Sequence, residues 1–336
     1  MFKTLNKETQ VILKVICAGI VLWVLWLLRD VLIILLLSLI LTSAMEPMVD
    51  YFKLKKIPRS LSVLAVYVLV LGFLGLLAVL ITPIIIDQFR ALMGNLPGYS
   101  NELRLKFPGL VYALGNFDFA EMLKKFTEVG GAGSSVFART IGVFNGLFTF
   151  VTVLVISFYL SVEEDGMKKF IKNLVPVKHQ DYTYLVVTKV QKKMGRWVVG
   201  QCILGFSIFA LSWIGLTILG VENALFLAIL AGAFEVVPYI GPILSAIPAM
   251  LIAVAESPVL AIGVLVLYLF IQKVEGLILV PKVMQKTIGV SPIAILLALL
   301  AGFKLAGIVG LLLAVPIVGI ITVLVEEWPS ITSRSE

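Results

Sequence analysis

The chain has 336 residues, 60% of them hydrophobic and 14% charged, and a formal net charge of +7. Soluble domains carry about 45–50% apolar residues; here the excess gathers in long runs, which excludes an ordinary soluble fold and predicts an integral membrane protein. The runs are continuous rather than alternating, which argues against a β-barrel. The basic residues cluster beside the runs, so the charge reads as membrane topology rather than nucleic-acid binding.

In chain order, a polar segment with Lys3 and Lys7 precedes a first apolar run, VILKVICAGIVLWVLWLL (11–28). That run is too long for a signal peptide, lacks a small-residue cleavage site and is followed almost at once by another, so a retained first helix is expected. Arg29 and Asp30 interrupt the hydrophobicity, and a tight hairpin at a membrane face is expected there. A second span covers 31–49. KLKKIPRS (53–60) places four basic residues in a short loop, and a third span covers 61–86. Residues 87–139 hold the breakers NLPGY (95–99), KFPG (106–109) and EVGGAGSS (128–135). Between them FDFAEMLKKFTEV (117–129) reads as a short amphipathic helix near the interface, with capping-box spacing at Asp118 and Glu121. A fourth span covers 141–162. Residues 163–196 carry eight Lys or Arg and read as an amphipathic helix feeding into a fifth span at 198–219.

Basic residues set orientation. Three lie in the N-terminal segment through Lys14, four in loop 50–60 and eight in 163–196. With four alternating spans these regions share one side, and the positive-inside bias makes it the cytoplasm. Residues 87–139 then face outward.

The last third departs from simple spans. Apolar pieces at 222–236 and 240–256 are short for a crossing and are joined by VPYIGP. A span at 258–275 leads into GLILVPKVMQKTIGVSP (276–292). The final run, 295–325, is too long for one span and is divided at 302–307. The expected fold is therefore all-α: a polytopic membrane protein with about seven or eight membrane helices, including broken or re-entrant hairpins in the C-terminal third. Its expected organisation is residues 1–86, an extracytoplasmic segment 87–139, and a transport core 140–336 with broken hairpins at 222–256 and 276–325.

An ionised side chain inside a bilayer costs about 2.5–3.5 kcal/mol on insertion scales, so such residues face partners, cavities or the bundle interior. Glu235 stands beside Pro238, Tyr239, Gly241 and Pro242, which cannot continue a regular helix. The freed backbone groups must meet water or protein, and transporters build sites on such breaks. The tip of this hairpin either lines a path or is an interfacial turn that lets Glu235 reach water. Gln272 and Glu275 lie three apart and are expected on one helical face, with Gly276 and Pro281 ending the helix. Glu275 either pairs with Lys273, Lys282 or Lys286, couples an ion, or is solvated at a helix end. Lys304 either neutralises Glu235 or Glu275, binds an anion, or snorkels to the headgroups. Gln201 either contacts the path or makes an interhelical hydrogen bond, and Arg196 is an interface anchor. The glycines Gly302, Gly307 and Gly310 suit close helix packing. Cys17 and Cys202 read as packing residues rather than a disulfide. With His179 as the lone histidine, no metal site is expected, nor any cofactor.

EPMVDYFKLKKIPRSLSVLAVYVL (46–69), FYLSVEEDGMKKFIKNLVP (158–176), GRWVVGQ (195–201), FEVVPYIGPILSAIPA (234–249) and QKVEGLILVPKVMQKTIGVSPIAILLALLAGFKLAGIVGLLLAVPI (272–317) resemble the AI-2E family of bacterial permease-like proteins. The resemblance is weakest in 87–139. It implies a multi-pass transporter of the bacterial inner membrane with a cytoplasmic N-terminus, exporting a small polar signal of the autoinducer-2 kind or exchanging Na+ or Li+ for H+. It also implies a homo-oligomer, with a pentamer as one form. The expected partners are thus the bilayer, a small polar solute, and H+ or Na+. No GxxxxGK[ST] motif offers ATP drive, and no HExxH or GxSxG suggests an enzyme. A non-transporting scaffold that docks partners on 87–139 is the alternative of another class.

Overall fold

The computed structural model describes residues 16–17, 19–20, 23–24, 26–106, 136–163, 175–177, 180–284 and 291–327. The expected amphipathic helix at 117–129, His179 and Lys286 lie outside them. The described elements are helices: α1 (Arg29–Leu54), α2 (Arg59–Lys106), α3 (Val136–Val162), α4 (Gln180–Leu219), α5 (Ala224–Phe234), α6 (Ile240–Glu256), α7 (Pro258–Val274), a π-helical turn (Glu275–Leu279), α8 (Val280–Met284) and α9 (Pro292–Glu327). Five helical stretches are long and apolar enough to cross a membrane: Arg29–Leu54, Arg59–Gln88, Gln180–Leu219, Pro258–Val283 and Ile293–Glu327. Three shorter apolar helices accompany them, Gly146–Val162, Ala224–Phe234 and Ile240–Glu256. This is the expected polytopic all-α architecture.

Two expected breaks are absent. At Arg29 and Asp30 the chain does not turn back: the Leu28 N–H donates to the Val24 carbonyl and the Leu32 N–H to the Leu28 carbonyl, both at 2.9 Å. Arg29 lies over the Trp26 ring, 4.8 Å from its centroid. The departure from helical geometry falls one residue earlier, at Leu28 (φ −89°, ψ 6°), and Arg29 and Asp30 themselves open α1. The side assigned to the N-terminal segment rested on that turn and no longer follows from alternation. The second absent break is NLPGY, since α2 runs unbroken through it to Lys106. Its 48 residues extend about 72 Å at 1.5 Å per residue, well beyond a hydrocarbon core of about 30 Å. The expected joining of the basic segment to the fifth span does occur, because α4 is one 40-residue helix from Gln180 to Leu219.

Polar side chains, not apolar area alone, fasten α1, α2 and α3. On α1, the Ser38 hydroxyl shares its proton between the Ile34 carbonyl at 2.8 Å and the Val153 carbonyl of α3 at 3.3 Å, and that of Thr42 between the Ser38 carbonyl at 2.8 Å and the Ser157 carbonyl of α3 at 3.1 Å. Tyr67 Oη of α2 donates to Ser157 Oγ at 2.9 Å. Arg59, at the start of α2, donates from Nε to the Ser161 carbonyl at 2.8 Å and lies 3.9 Å from the Glu46 carboxylate. Gln191 of α4 also donates to Glu46. These links put the α1–α2 loop, the end of α3 and the basic half of α4 at one end of the molecule. Lys189 pairs with Glu327, and Lys193 lies 4.0 Å from Glu326. The end of α9 therefore lies at the same basic end.

The long α9 is a hairpin. Ala306 (φ −141°, ψ 21°) and Gly307 (φ 58°, ψ −137°) leave helical geometry, and a conformation like that of Gly307 is open essentially to glycine alone. The two arms return so close that a Cβ at Gly302 would lie 2.3 Å from the Gly310 carbonyl oxygen, and one at Gly310 would lie 1.9 Å from that of Gly302. The division expected at 302–307 is thus present. Gly302→Val should force the arms apart and lower the thermal stability of the detergent-purified protein, followed by loss of its monodisperse size-exclusion peak. Gly75→Ala, at a site with nothing within 4 Å, should leave the peak unchanged.

Candidate functional site

The site grows from one face of α4. Gln201, Gly205, Ile208 and Ser212 recur at three- and four-residue intervals and so lie along one side of the helix. Gly205 meets α5 backbone to backbone: a Cβ there would lie 2.9 Å from the Gly232 carbonyl oxygen and 4.0 Å from Glu235 Cβ. Ile208 packs with Ala231 of α5 and Ile271 of α7. This face therefore brings the end of α5 and the end of α7 together.

The break after α5 follows from its sequence. Pro238 has no N–H to return to the Phe234 carbonyl, which the Val237 N–H takes instead at 3.0 Å. Tyr239 adopts φ 66°, ψ −40°, with the Ile240 N–H bonded to the Pro238 carbonyl at 2.8 Å. This is the positive-φ γ-turn, a strained form. A Cβ at Gly241 would lie 2.0 Å from the Phe234 carbonyl oxygen, so only glycine lets α6 start there. Pro242 sits in the first turn of α6, where an N–H would have no helical partner. At 11 and 17 residues, α5 and α6 extend about 16 Å and 26 Å. Neither spans the core, as the sequence predicts for a broken hairpin.

The second irregularity also departs from expectation. Gly276 and Pro281 do not end the helix; they follow α7 through the π turn into α8. The Val280 N–H donates to the Glu275 carbonyl, five residues back. In a regular α-helix the Pro281 ring would clash with the carbonyl four residues earlier, and the wider turn accommodates the proline without stopping the chain. A π turn of this kind is often found at functional sites.

The two breaks bring Glu235 and Glu275 together. They are 1% and 8% exposed, and their carboxyl groups are within side-chain hydrogen-bonding reach of each other. The Oε2 atom of each has no hydrogen-bond partner. Gln201, 7% exposed, donates from Nε2 to the backbone carbonyl of Glu235, an interhelical hydrogen bond. Counted along α4, Gln201 and Gly205 lie about 8–14 Å beyond Arg196.

Several expected members lie elsewhere. Gln272 is exposed; three residues of α-helix leave it about 60° from Glu275, enough to point one side chain outward while the other is buried. Lys304 is exposed beside the α9 hairpin tip, and among the described residues it forms no ion pair with Glu235 or Glu275, which corrects the idea that it neutralises them. Lys273 and Lys282 are exposed and likewise form no described ion pair with Glu275. Arg196 is exposed on α4. The sequence reading missed Ser212, fully buried with an unpartnered hydroxyl; its place three turns after Gln201 was the available signal. It also missed Tyr268 of α7, whose hydroxyl donates to the Ser245 carbonyl at 3.3 Å and ties α7 to α6.

Gln201→Leu should strand the Glu235 carbonyl in a buried site, at a cost of about 1–3 kcal/mol, and lower the unfolding temperature in detergent. Gly241→Ala should lower it further, because the close approach to Phe234 is backbone to backbone. Thermal unfolding followed by intrinsic fluorescence checks both.

The AI-2E family transporter model matches residues 15–330. The chain is 29% identical over 315 residues to "Putative transport protein YrrI" of Bacillus subtilis, covering 90% of this chain and 88% of that one. It is 26% identical to "Putative transport protein YhhT" of Escherichia coli K12, covering 88% and 84%. With "AI-2 transport protein TqsA" of Escherichia coli K12 the identity is 23%, covering 89% and 86%. The family match runs through both breaks and both carboxylates, and the chain belongs to the AI-2E family of transporters.

Proposed function

We propose that this protein is a secondary transporter of the bacterial cytoplasmic membrane that moves a small polar solute and couples its passage to H+ or Na+ at Glu235 and Glu275. The observation that carries this reading is the meeting of two buried carboxyl groups, each with an unpartnered oxygen, at two separate helix irregularities. Two adjacent carboxylates away from water repel strongly. A proton or a monovalent cation between them relieves that repulsion, and its exchange is a means of coupling. In this reading Pro238, Tyr239, Gly241, Pro242 and Pro281 shape the breaks, Gln201 fixes the backbone of Glu235, and Arg196 anchors α4 at the interface. Residues 140–336 form the transport core, 87–139 face outward and the basic end faces the cytoplasm. The family resemblance extends the reading to a homo-oligomer.

For the solute, the relative named an AI-2 transport protein supports a small polar signal, exported. The second reading is Na+ or Li+ exchange for H+ with no organic solute, which the same pair favours because two carboxyl groups are enough to hold either ion. A non-transporting scaffold leaves the buried pair without a purpose.

In proteoliposomes, Glu235→Gln and Glu275→Gln should each abolish gradient-driven flux while the protein remains folded. One coupled charge is worth about 2.3 kcal/mol per 100 mV, so each variant should lose about 50-fold in the concentration ratio sustained at that potential. Flux that persists undiminished in both variants overturns the coupling role. Assays of AI-2 efflux and of Na+-driven proton movement in the same vesicles separate the two readings.

A further inference from the structure

An apolar groove of about 260 Å3 lies on the outer surface between α1 and α2, lined by Pro47, Met48, Tyr51, Phe52, Val66, Leu69 and Val70. Met48 and Tyr51 are more than half exposed, and Val49, Val63, Val66 and Tyr67 form a packed floor behind them. The groove runs toward the α1–α2 turn. There Lys55 places its ammonium over the Tyr51 ring, 4.8 Å from the centroid, so one aromatic side chain both lines the groove and holds a cation at its rim. Lys53 and Lys56 are exposed in the same turn, and Lys56 has a φ of 63°. Arg59 is not part of this rim, being engaged with Glu46 and the Ser161 carbonyl. Asp50 is an exposed carboxylate one turn earlier; set against Lys53, Lys55 and Lys56 it leaves a net charge of +2 among these described residues.

We infer that this groove is a binding site for an anionic phospholipid, with an acyl chain along Met48, Phe52 and Leu69 and the headgroup phosphate at Lys55 and Lys56. Three features converge on that ligand. The groove is open at the surface and almost wholly apolar, as an acyl chain requires. Its rim carries lysines where a phosphate would sit. It also lies at the basic end, the side on which the positive-inside rule places the cytoplasm and its anionic lipids. A zwitterionic lipid fits the groove but brings its own cation to the rim and gains little there.

Native mass spectrometry of the detergent-solubilised protein with added lipid tests this. Phosphatidylglycerol should be retained and phosphatidylcholine of the same chains lost. Each lysine near the surface contributes roughly five-fold, so Lys55→Gln with Lys56→Gln should weaken retention about 30-fold. Met48→Trp fills the groove without touching the charges and should also expel the lipid. Thermal unfolding checks that both variants are folded. Equal retention of the two lipids, or undiminished phosphatidylglycerol in either folded variant, overturns the site. Competition by glycerol 3-phosphate at equal concentration would show a site for a free anion and overturn the lipid assignment. Disulfide formation between copies carrying Met48→Cys would show the groove covered by a second subunit and overturn it equally.

Discussion

Hydrocarbon offers no hydrogen bonds, so every backbone N–H and C=O that leaves a helix inside the membrane must be satisfied by the protein or by water the protein admits. This chain meets that constraint three times in its last third. After α5 the Phe234 carbonyl is taken by Val237 and the Glu235 carbonyl by the Gln201 side chain. After α7 the π turn keeps the ladder closed through Val280 while it accommodates Pro281. In α9 two residues at 306 and 307 absorb the whole reversal. The last third of the chain is a set of irregular turns made tolerable by neighbouring helices.

Those neighbours can help only because they come close. Gly205 against Gly232, and Gly302 against Gly310, let backbones touch where any side chain would hold them apart. Inside a membrane, association gains nothing from excluding water, so dispersion and short polar contacts carry it. At the basic end the protein uses a different device: Glu46, Arg59, Gln191 and the Ser161 carbonyl tie α1, α2, α3 and α4 by charge-assisted contacts. One end is fastened by polar groups and the interior by close backbone approach.

How much was legible follows from what a sequence encodes locally. The hairpin at 222–256 could be read because proline, glycine and short apolar length are visible residue by residue, and the same holds for the division of α9. The hairpin expected at Arg29 and Asp30 and the unbroken helix through NLPGY were misread because polarity and turn propensity are weak guides to backbone direction; Arg29 and Asp30 begin a helix, and Pro97 and Gly98 lie within one. Pro281 was misread as a stop because a π turn has no sequence signature of its own. Glu235 and Glu275 could each be singled out as costly intramembrane charges. That they face one another, and that Gln201 rather than Gln272 or Lys304 stands with them, depends on how α4, α5 and α7 cross, and no linear pattern carries that.

The treatment of carboxylates within one molecule supports the proposed coupling role of Glu235 and Glu275. Glu46 shows how this protein handles an acid used for fastening: an arginine lies 3.9 Å away and a glutamine donates to it. Glu235 is more deeply buried, yet Gln201 supports only its backbone carbonyl, while its carboxyl group faces a second acid and keeps an unpartnered oxygen. A buried charge without a partner destabilises a fold, and replacing both acids with apolar groups would be an easy remedy. Holding the main chain firmly while leaving the side chain's chemistry unspent is the arrangement expected of a group whose partner arrives from outside and departs again, a proton or a cation on its way through.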